Sequence, residues 1–170
     1  MMIALSGTPG TGKTSVGEEL EKRGVKVTKA GDTVNDYRIG RDPDRDTDII
    51  DDERWALEFR PVYGLIEGHI SHLLPADRVI IFRCRPEILM DRLKTRNYSK
   101  AKIRENVEAE LLDVILIEAL EIHGSEKIYE IDTTGQDISS LADQVIEVIK
   151  GTATPSSGLV DWLECSGDLL

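Results

Sequence analysis

Two periods of hydrophobicity alternate along this chain. Short apolar runs bounded by turn residues recur between longer stretches whose apolar positions return every three or four residues. That is the arrangement expected of strands and helices taking turns in a parallel α/β sheet. Met2-Ile3-Ala4-Leu5 reads as a buried first strand. Residues 15–23 carry Val16 and Leu20 at helical spacing and stop at Gly24, a natural C-terminal cap. Residues 25–28 read as a second strand, 63–67 as a weaker third, 78–82 as a strong fourth and 127–131 as a fifth. Pro86 opens a helix through Ile88, Leu89 and Leu93. Ser99 is placed to cap one long helix in which Ile103, Val107, Leu111 and Val114 form a stripe. Its other face carries Glu105, Glu108 and Glu110, read as solvated and without a chemical role. Residues 141–149 form the closing helix. No internal repeat is present. Residues 151–158 read as a linker to a short tail holding Trp162.

Between the first strand and the first helix runs Gly7-Thr8-Pro9-Gly10-Thr11-Gly12-Lys13-Thr14, which matches G-x-x-x-x-G-K-[ST]. Strand, glycine-rich turn and helix together give that pattern its mechanism. Gly10 and Gly12 let the backbone curl so that successive N–H groups can face phosphate oxygens, and the helix that begins near Ser15 adds its positive end. Lys13 can reach the β- and γ-phosphates, and the Thr14 hydroxyl can ligate Mg²⁺. The chain is expected to bind a nucleoside triphosphate, with ATP and Mg²⁺ as its cofactors.

A chain of 170 residues suits one domain with a sizeable core. No apolar stretch is long enough to span a bilayer, and the N-terminus lacks the features of a signal peptide, so a cytoplasmic setting is expected. Cys84 and Cys165 lie too far apart in character, one ending a strand and one in the tail, to suggest a disulfide framework. The net charge of −11 argues against broad nucleic-acid binding, which needs clustered Lys and Arg, but suits a basic protein partner.

The loop GTPGTGKT, the segment Ile66-Glu67-Gly68-His69, and the run from Arg96-Asn97-Tyr98 to Arg104-Glu105-Asn106-Val107-Glu108-Ala109-Glu110 together resemble the adenylate kinase isoenzyme 6 family of archaea and eukaryotes. The resemblance covers about residues 1–150. It implies a P-loop NTPase fold, α/β, with a five-stranded parallel sheet flanked by helices. A nucleoside monophosphate-binding insert is expected over about residues 30–53 and a short lid over about 95–105. It also implies a broad-specificity nucleoside monophosphate kinase (ATP + AMP to 2 ADP) with ATPase activity, acting in late maturation of the small ribosomal subunit through a small-subunit ribosomal protein. The residues allow two other readings: an ATPase switch in ribosome assembly with incidental kinase activity, or a P-loop kinase for another small metabolite.

Individual residues carry the expected chemistry. Arg92 and Arg96, four apart on a predicted helix, share a face and could neutralise the transferring phosphoryl group. The resemblance puts the ATP-contacting lid arginine on Arg96; Arg92 and Arg104 also suit solvated helix ends. Glu67 ends the third strand near the loop, where a carboxylate can hold Mg²⁺ through water or orient an attacking water. The family usually carries Asp-x-His there, so the extra methylene of Glu67 moves the carboxylate by about 1.5 Å. His69 takes the family's histidine position and could orient water or a phosphate; a hydrogen-bonded histidine at a strand end is the alternative. A metal pair of His69 with His72 lacks further ligands nearby, and His123 reads as surface. Asp42, Asp44, Asp46, Asp48, Ile49 and Glu53 fall at calcium-loop positions, but Thr47 stands where the turn demands glycine. Those residues are taken as part of the insert instead. Asp32 opens that insert, and Arg38, Arg41 and Arg54 are candidates for the acceptor's phosphate. Gln136, in the loop after the fifth strand, is placed to meet the nucleotide base, although an ordinary β-to-α turn would look the same. Val160, Trp162 and Leu163 offer an apolar anchor for a partner, with a disordered tail or one that docks on its own domain as the alternatives.

Overall fold

Met2–Gly7 (β1) is buried at every position, and only a strand covered on both faces can be so. It lies at the middle of a five-stranded sheet with the order β2-β5-β1-β6-β7, where β2 is Val27–Lys29, β5 Gly64–Glu67, β6 Arg78–Arg83 and β7 Ile128–Asp132. Every pair in it is parallel. This computed structural model describes residues 1–43 and 47–166, the last two by backbone alone. Asp44 and Asp46 of the calcium-type reading, and the thiol of Cys165, lie outside them.

Helices cover both faces. On one, Ile3, Leu5, Val16, Leu20, Ile80, Phe82 and Val145 pack α1 (Lys13–Lys22) and α6 (Ile138–Lys150) against the sheet. On the other, Ala4, Ile66, Val79, Ile81, Leu116 and Ala119 seat α5 (Val114–His123) together with the insert. Each Val, Leu, Ile or Phe so enclosed contributes about 1.5–3 kcal/mol, and each Ala less than about 1 kcal/mol. α3 (Pro86–Lys94) and α4 (Lys100–Leu111) close a smaller core around Leu89, Leu93 and Val107. The insert is a two-stranded antiparallel hairpin, β3 (Arg38–Asp42) and β4 (Thr47–Ile50), followed by α2 (Asp52–Glu58). Trp55 anchors α2: it is fully buried, meets Phe59 edge-on and donates its indole N–H to Thr33 Oγ1 at 3.0 Å.

Strand edges depart from the sequence reading by one or two residues. The second strand starts at Val27 because Val25 is still closing the turn after α1, its N–H bonded to the Leu20 carbonyl. The predicted long helix from Ser99 is two helices. Ser99 does cap α4, accepting the Lys102 N–H at 3.2 Å. The rod then breaks at Asp113, whose φ of 55° is left-handed, and whose carboxylate turns to the buried guanidinium of Arg83. That break lets α5 swing onto the sheet rather than continue past it.

Residues past α6 return to the sheet edge. Ser156 pairs with Tyr129 alongside β7, taking the Glu130 N–H at 2.9 Å and giving its own N–H to Ile128 at 2.8 Å. α7 (Trp162–Ser166) then packs on α3 and α4, with Trp162 buried. Of the three readings of the tail, Trp162 follows self-docking and is not available as an anchor for a partner. Among the described residues no helix is long and apolar enough to cross a membrane.

Candidate active site

The loop between β1 and α1 holds its shape through glycines at positive φ. Gly12 has φ 102°, and a Cβ there would meet nothing within 4 Å, so the missing side chain leaves an open cradle above the first turn of α1. Gly10 serves packing instead: a Cβ would come within 2.9 Å of Leu89. The N–H groups of the first turn of α1, at Lys13, Thr14 and Ser15, precede any intrahelical acceptor and are available to an anion.

Lys13 lies folded over its own loop. It is buried, and Nζ donates to the carbonyls of Gly7 at 2.6 Å and Thr8 at 3.0 Å. Loss of water lowers its pKa from 10.5 to about 8, opposed by the charges of Glu67 and Glu110 and reinforced by Arg96. Glu67, at the end of β5, is buried beside it, and burial raises its carboxyl above the usual range despite Lys13 and Lys29. Glu67 Oε1 stands 3.5 Å from Thr14 Oγ1. Two neighbouring ligands of an octahedral Mg²⁺ are about 3 Å apart, so this pair fits one ion directly or through a water with little adjustment. The longer side chain of glutamate therefore still brings its carboxylate to the Thr14 hydroxyl. His69 opens onto the same space. Loss of water around it, and then Lys13, His72 and Lys102, lowers its pKa, which leaves a neutral imidazole at pH 7.

Two cavities meet at the loop. The first, of about 500 Å³, is lined by Lys13, Thr14, Glu67, His69 and Arg96, with Thr47 of the insert, Tyr98, and Lys102, Glu105 and Asn106 of α4 opposite. The second, of about 570 Å³, lies on the other side of the loop against Ile88, Arg92, Gln136 and Ile138. Gly10, Gly12, Ser15 and Arg96 border both. Lys102 Nζ donates to Thr47 Oγ1 at 3.0 Å, so α4 and β4 touch across the first cavity.

The predicted site residues divide accordingly. Lys13, Thr14, Glu67 and His69 come together. Arg96 sits on the turn after α3, not on its helical face, and so reaches the junction of the cavities. Arg92 stays on the helix, lines only the second cavity, and donates to the Gly10 carbonyl at 3.3 Å. Gln136 lines that cavity with its amide partly engaged by the Asp132 carbonyl at 2.5 Å. The candidate arginines of the insert, Arg38, Arg41 and Arg54, do not line the first cavity: Arg38 pairs with Asp48 at 3.2 Å, and Arg54 pairs with Glu58 at 2.9 Å while lying over Tyr37. Arg104 pairs with Glu108 along α4. His72 is buried, with Nδ1 2.8 Å from Ser6 Oγ and Nε2 3.0 Å from Glu118. His123, read as surface, is buried and donates to the His72 carbonyl at 2.7 Å.

The reading of Glu110 as solvated is overturned. Glu110 is 3% exposed and its carboxylate collects four donors. Oε2 accepts the Thr8 hydroxyl at 2.5 Å; Oε1 accepts Arg83 Nε at 2.9 Å, the Cys84 N–H at 3.0 Å and the Trp162 indole N–H at 3.1 Å. Arg83, which the apolar pattern concealed at the end of β6, also pairs with Glu130 at 2.7 Å. Its signal was present, since Glu110 falls seven residues after Ile103 and so within about 20° of it around the helix.

Comparison with known proteins agrees with this geometry. Residues 3–113 match the family model described as an AAA domain. The chain is 45% identical over 169 residues to the "Putative adenylate kinase" of Archaeoglobus fulgidus, covering 96% of this chain and 92% of that one. It is 40% identical over 178 residues to the protein of the same name from Methanocaldococcus jannaschii, covering 100% and 97%. In fold it is similar to a deoxyadenosine kinase from M. mycoides (TM-score 0.57, 15% identity, 90% and 100% covered) and a gluconokinase from Sinorhizobium meliloti (TM-score 0.53, 15% identity, 89% and 93% covered). A P-loop sheet matched along its whole length at these identities places the chain in the family of the archaeal putative adenylate kinases.

Proposed function

We propose that this protein moves the γ-phosphoryl group of ATP to a nucleoside monophosphate, with Mg²⁺, as a broad-specificity adenylate kinase-like enzyme. The observation that carries the reading is the pair of nucleotide-sized cavities on either side of one phosphate loop, sharing Gly10, Gly12, Ser15 and Arg96. A donor's base and ribose fit the second, near Gln136, and an acceptor fits the first, between insert and lid. Lys13 and Arg96 supply positive charge where the phosphates meet, and Thr14 with Glu67 would hold the Mg²⁺ that neutralises the transferring group. Phosphoryl transfer asks little more than that positioning and charge.

The names of the archaeal homologues support the adenylate kinase-like part. ATPase activity belongs to the same site, because water in the first cavity would face Glu67 and neutral His69 in the acceptor's place. Work on the small ribosomal subunit, through a basic ribosomal protein, rests on the family resemblance and on the acidic surface. A coupled assay with ATP, Mg²⁺ and each monophosphate in turn tests the proposal. ADP formation stimulated by at least one monophosphate is expected. Phosphate release from ATP that no monophosphate alters would overturn the kinase reading and leave an ATPase.

A further inference from the structure

Glu110 stands at a crossing that the phosphate-transfer reading does not use. One oxygen holds Thr8 of the phosphate loop; the other is tied to β6 and to the indole of Trp162. Thr8 in turn supplies the carbonyl that accepts Lys13 Nζ at 3.0 Å and the Thr11 hydroxyl at 2.9 Å. A short chain of buried hydrogen bonds thus runs from the C-terminal segment, through one carboxylate, to the lysine. The segment is also held by Glu130, which accepts the Leu159 N–H at 2.6 Å and binds Arg83 with its other oxygen.

We propose that Glu110 is a positioning residue of the phosphate loop and that docking of Trp162 sets it, so that the C-terminal segment and the nucleotide stabilise each other's binding. The physical basis is dielectric. Glu110 reaches Thr8 at full strength only while water is kept from it, and Trp162 is the side chain from the C-terminal segment that both covers and hydrogen-bonds it. Without that cover, water competes for Oε2 and the Thr8 carbonyl loses its fixed direction. Lys13 then leaves a less ordered loop when it turns to phosphate. The proposal rests on the loop's being the nucleotide's phosphate site.

The test is a double-mutant cycle on the full chain. The Kd for MgATP is measured by titration calorimetry for the wild type, Trp162→Ala, Thr8→Val and the double variant. Trp162→Ala should weaken binding about fivefold, the lower end of ordinary coupling between sites. The double variant should bind no more weakly than Thr8→Val alone, because the path from Trp162 already ends there. Linkage demands the reverse effect too: MgATP should slow amide exchange across residues 156–164 of the wild type by a similar factor. Should Trp162→Ala not fold, Trp162→Phe, which keeps most of the bulk and loses the N–H, enters the same cycle. Losses that multiply, a Kd within twofold of wild type, or tail exchange indifferent to MgATP would each overturn the coupling while leaving the nucleotide site intact. A wild-type chain that does not bind MgATP overturns both readings.

Discussion

Lys13 carries its charge in this fold at a cost that pH can reveal. Its pKa falls from 10.5 to about 8, chiefly through burial, and at 1.36 kcal/mol for each tenfold change in proton affinity this is about 3 kcal/mol against the folded state near pH 7. The direction follows from linkage. The unfolded lysine holds its proton more tightly than the folded one, so stability rises as pH climbs between about 8 and 10.5, and the penalty is fully present below 8. Between pH 7 and pH 9.5 the wild type should therefore gain about 2 kcal/mol. Other groups titrate in that range, so Lys13→Met provides the reference: only the difference in pH slope between the two proteins is read, by urea unfolding at both pH values. The same shift predicts proton uptake on nucleotide binding. Phosphate oxygens replace the carbonyls of Gly7 and Thr8 and restore the ordinary affinity, so MgATP should draw in about 0.7 proton at pH 8.5 but about 0.1 at pH 7. Calorimetry in two buffers of different ionisation enthalpy measures that number. A slope difference below about 0.5 kcal/mol, with no uptake at pH 8.5, would refute the argument: Lys13 would then be solvated, not folded over its loop.

Other outcomes follow from the same geometry. Arg96→Ala should lower kcat by about 10²–10³-fold while KM for ATP changes little, because an arginine at the junction of both cavities meets charge that develops in transfer; steady-state kinetics in which only KM rises would make it a ground-state binder. Glu67→Gln should raise the Mg²⁺ concentration needed for half-maximal turnover at least tenfold, equivalent to about 1.4 kcal/mol, and an unchanged Mg²⁺ titration would remove Glu67 from the metal. Arg83→Met should destabilise the fold by about 3–5 kcal/mol, since Glu110, Glu130 and Asp113 would be left without their shared cation; denaturant midpoints with little change would mean that these carboxylates find water.

The fold was legible because its central strands and the phosphate loop leave strong local signals. Four apolar residues before a glycine turn could only be a covered strand, and the loop's glycines have no other use in so tight a reversal. Lys13 and Thr14 follow from that logic, Glu67 from its place at a strand end and His69 from the family resemblance, and the fold brings all four to one cavity. The insert's arginines were not resolved, because choosing among Arg38, Arg41 and Arg54 depends on how the hairpin packs. The structure turns Arg38 and Arg54 to Asp48 and Glu58, pairs set by cross-strand register and by helical spacing within α2.

Glu110 shows most plainly where pattern reading stops. A glutamate among glutamates on a helix is ordinarily water-facing, because an uncompensated buried carboxylate is costly. The cost is met here by partners remote in sequence: Thr8 from the loop, Arg83 and Cys84 from β6 and Trp162 from the far end of the chain. None of them announces the others, and only the fold brings them within hydrogen-bond reach. The same closure ends the long helix predicted from Ser99, for Asp113 takes its left-handed turn while its carboxylate meets Arg83. One buried guanidinium thus decides both where α4 stops and which carboxylates can be buried behind the phosphate loop.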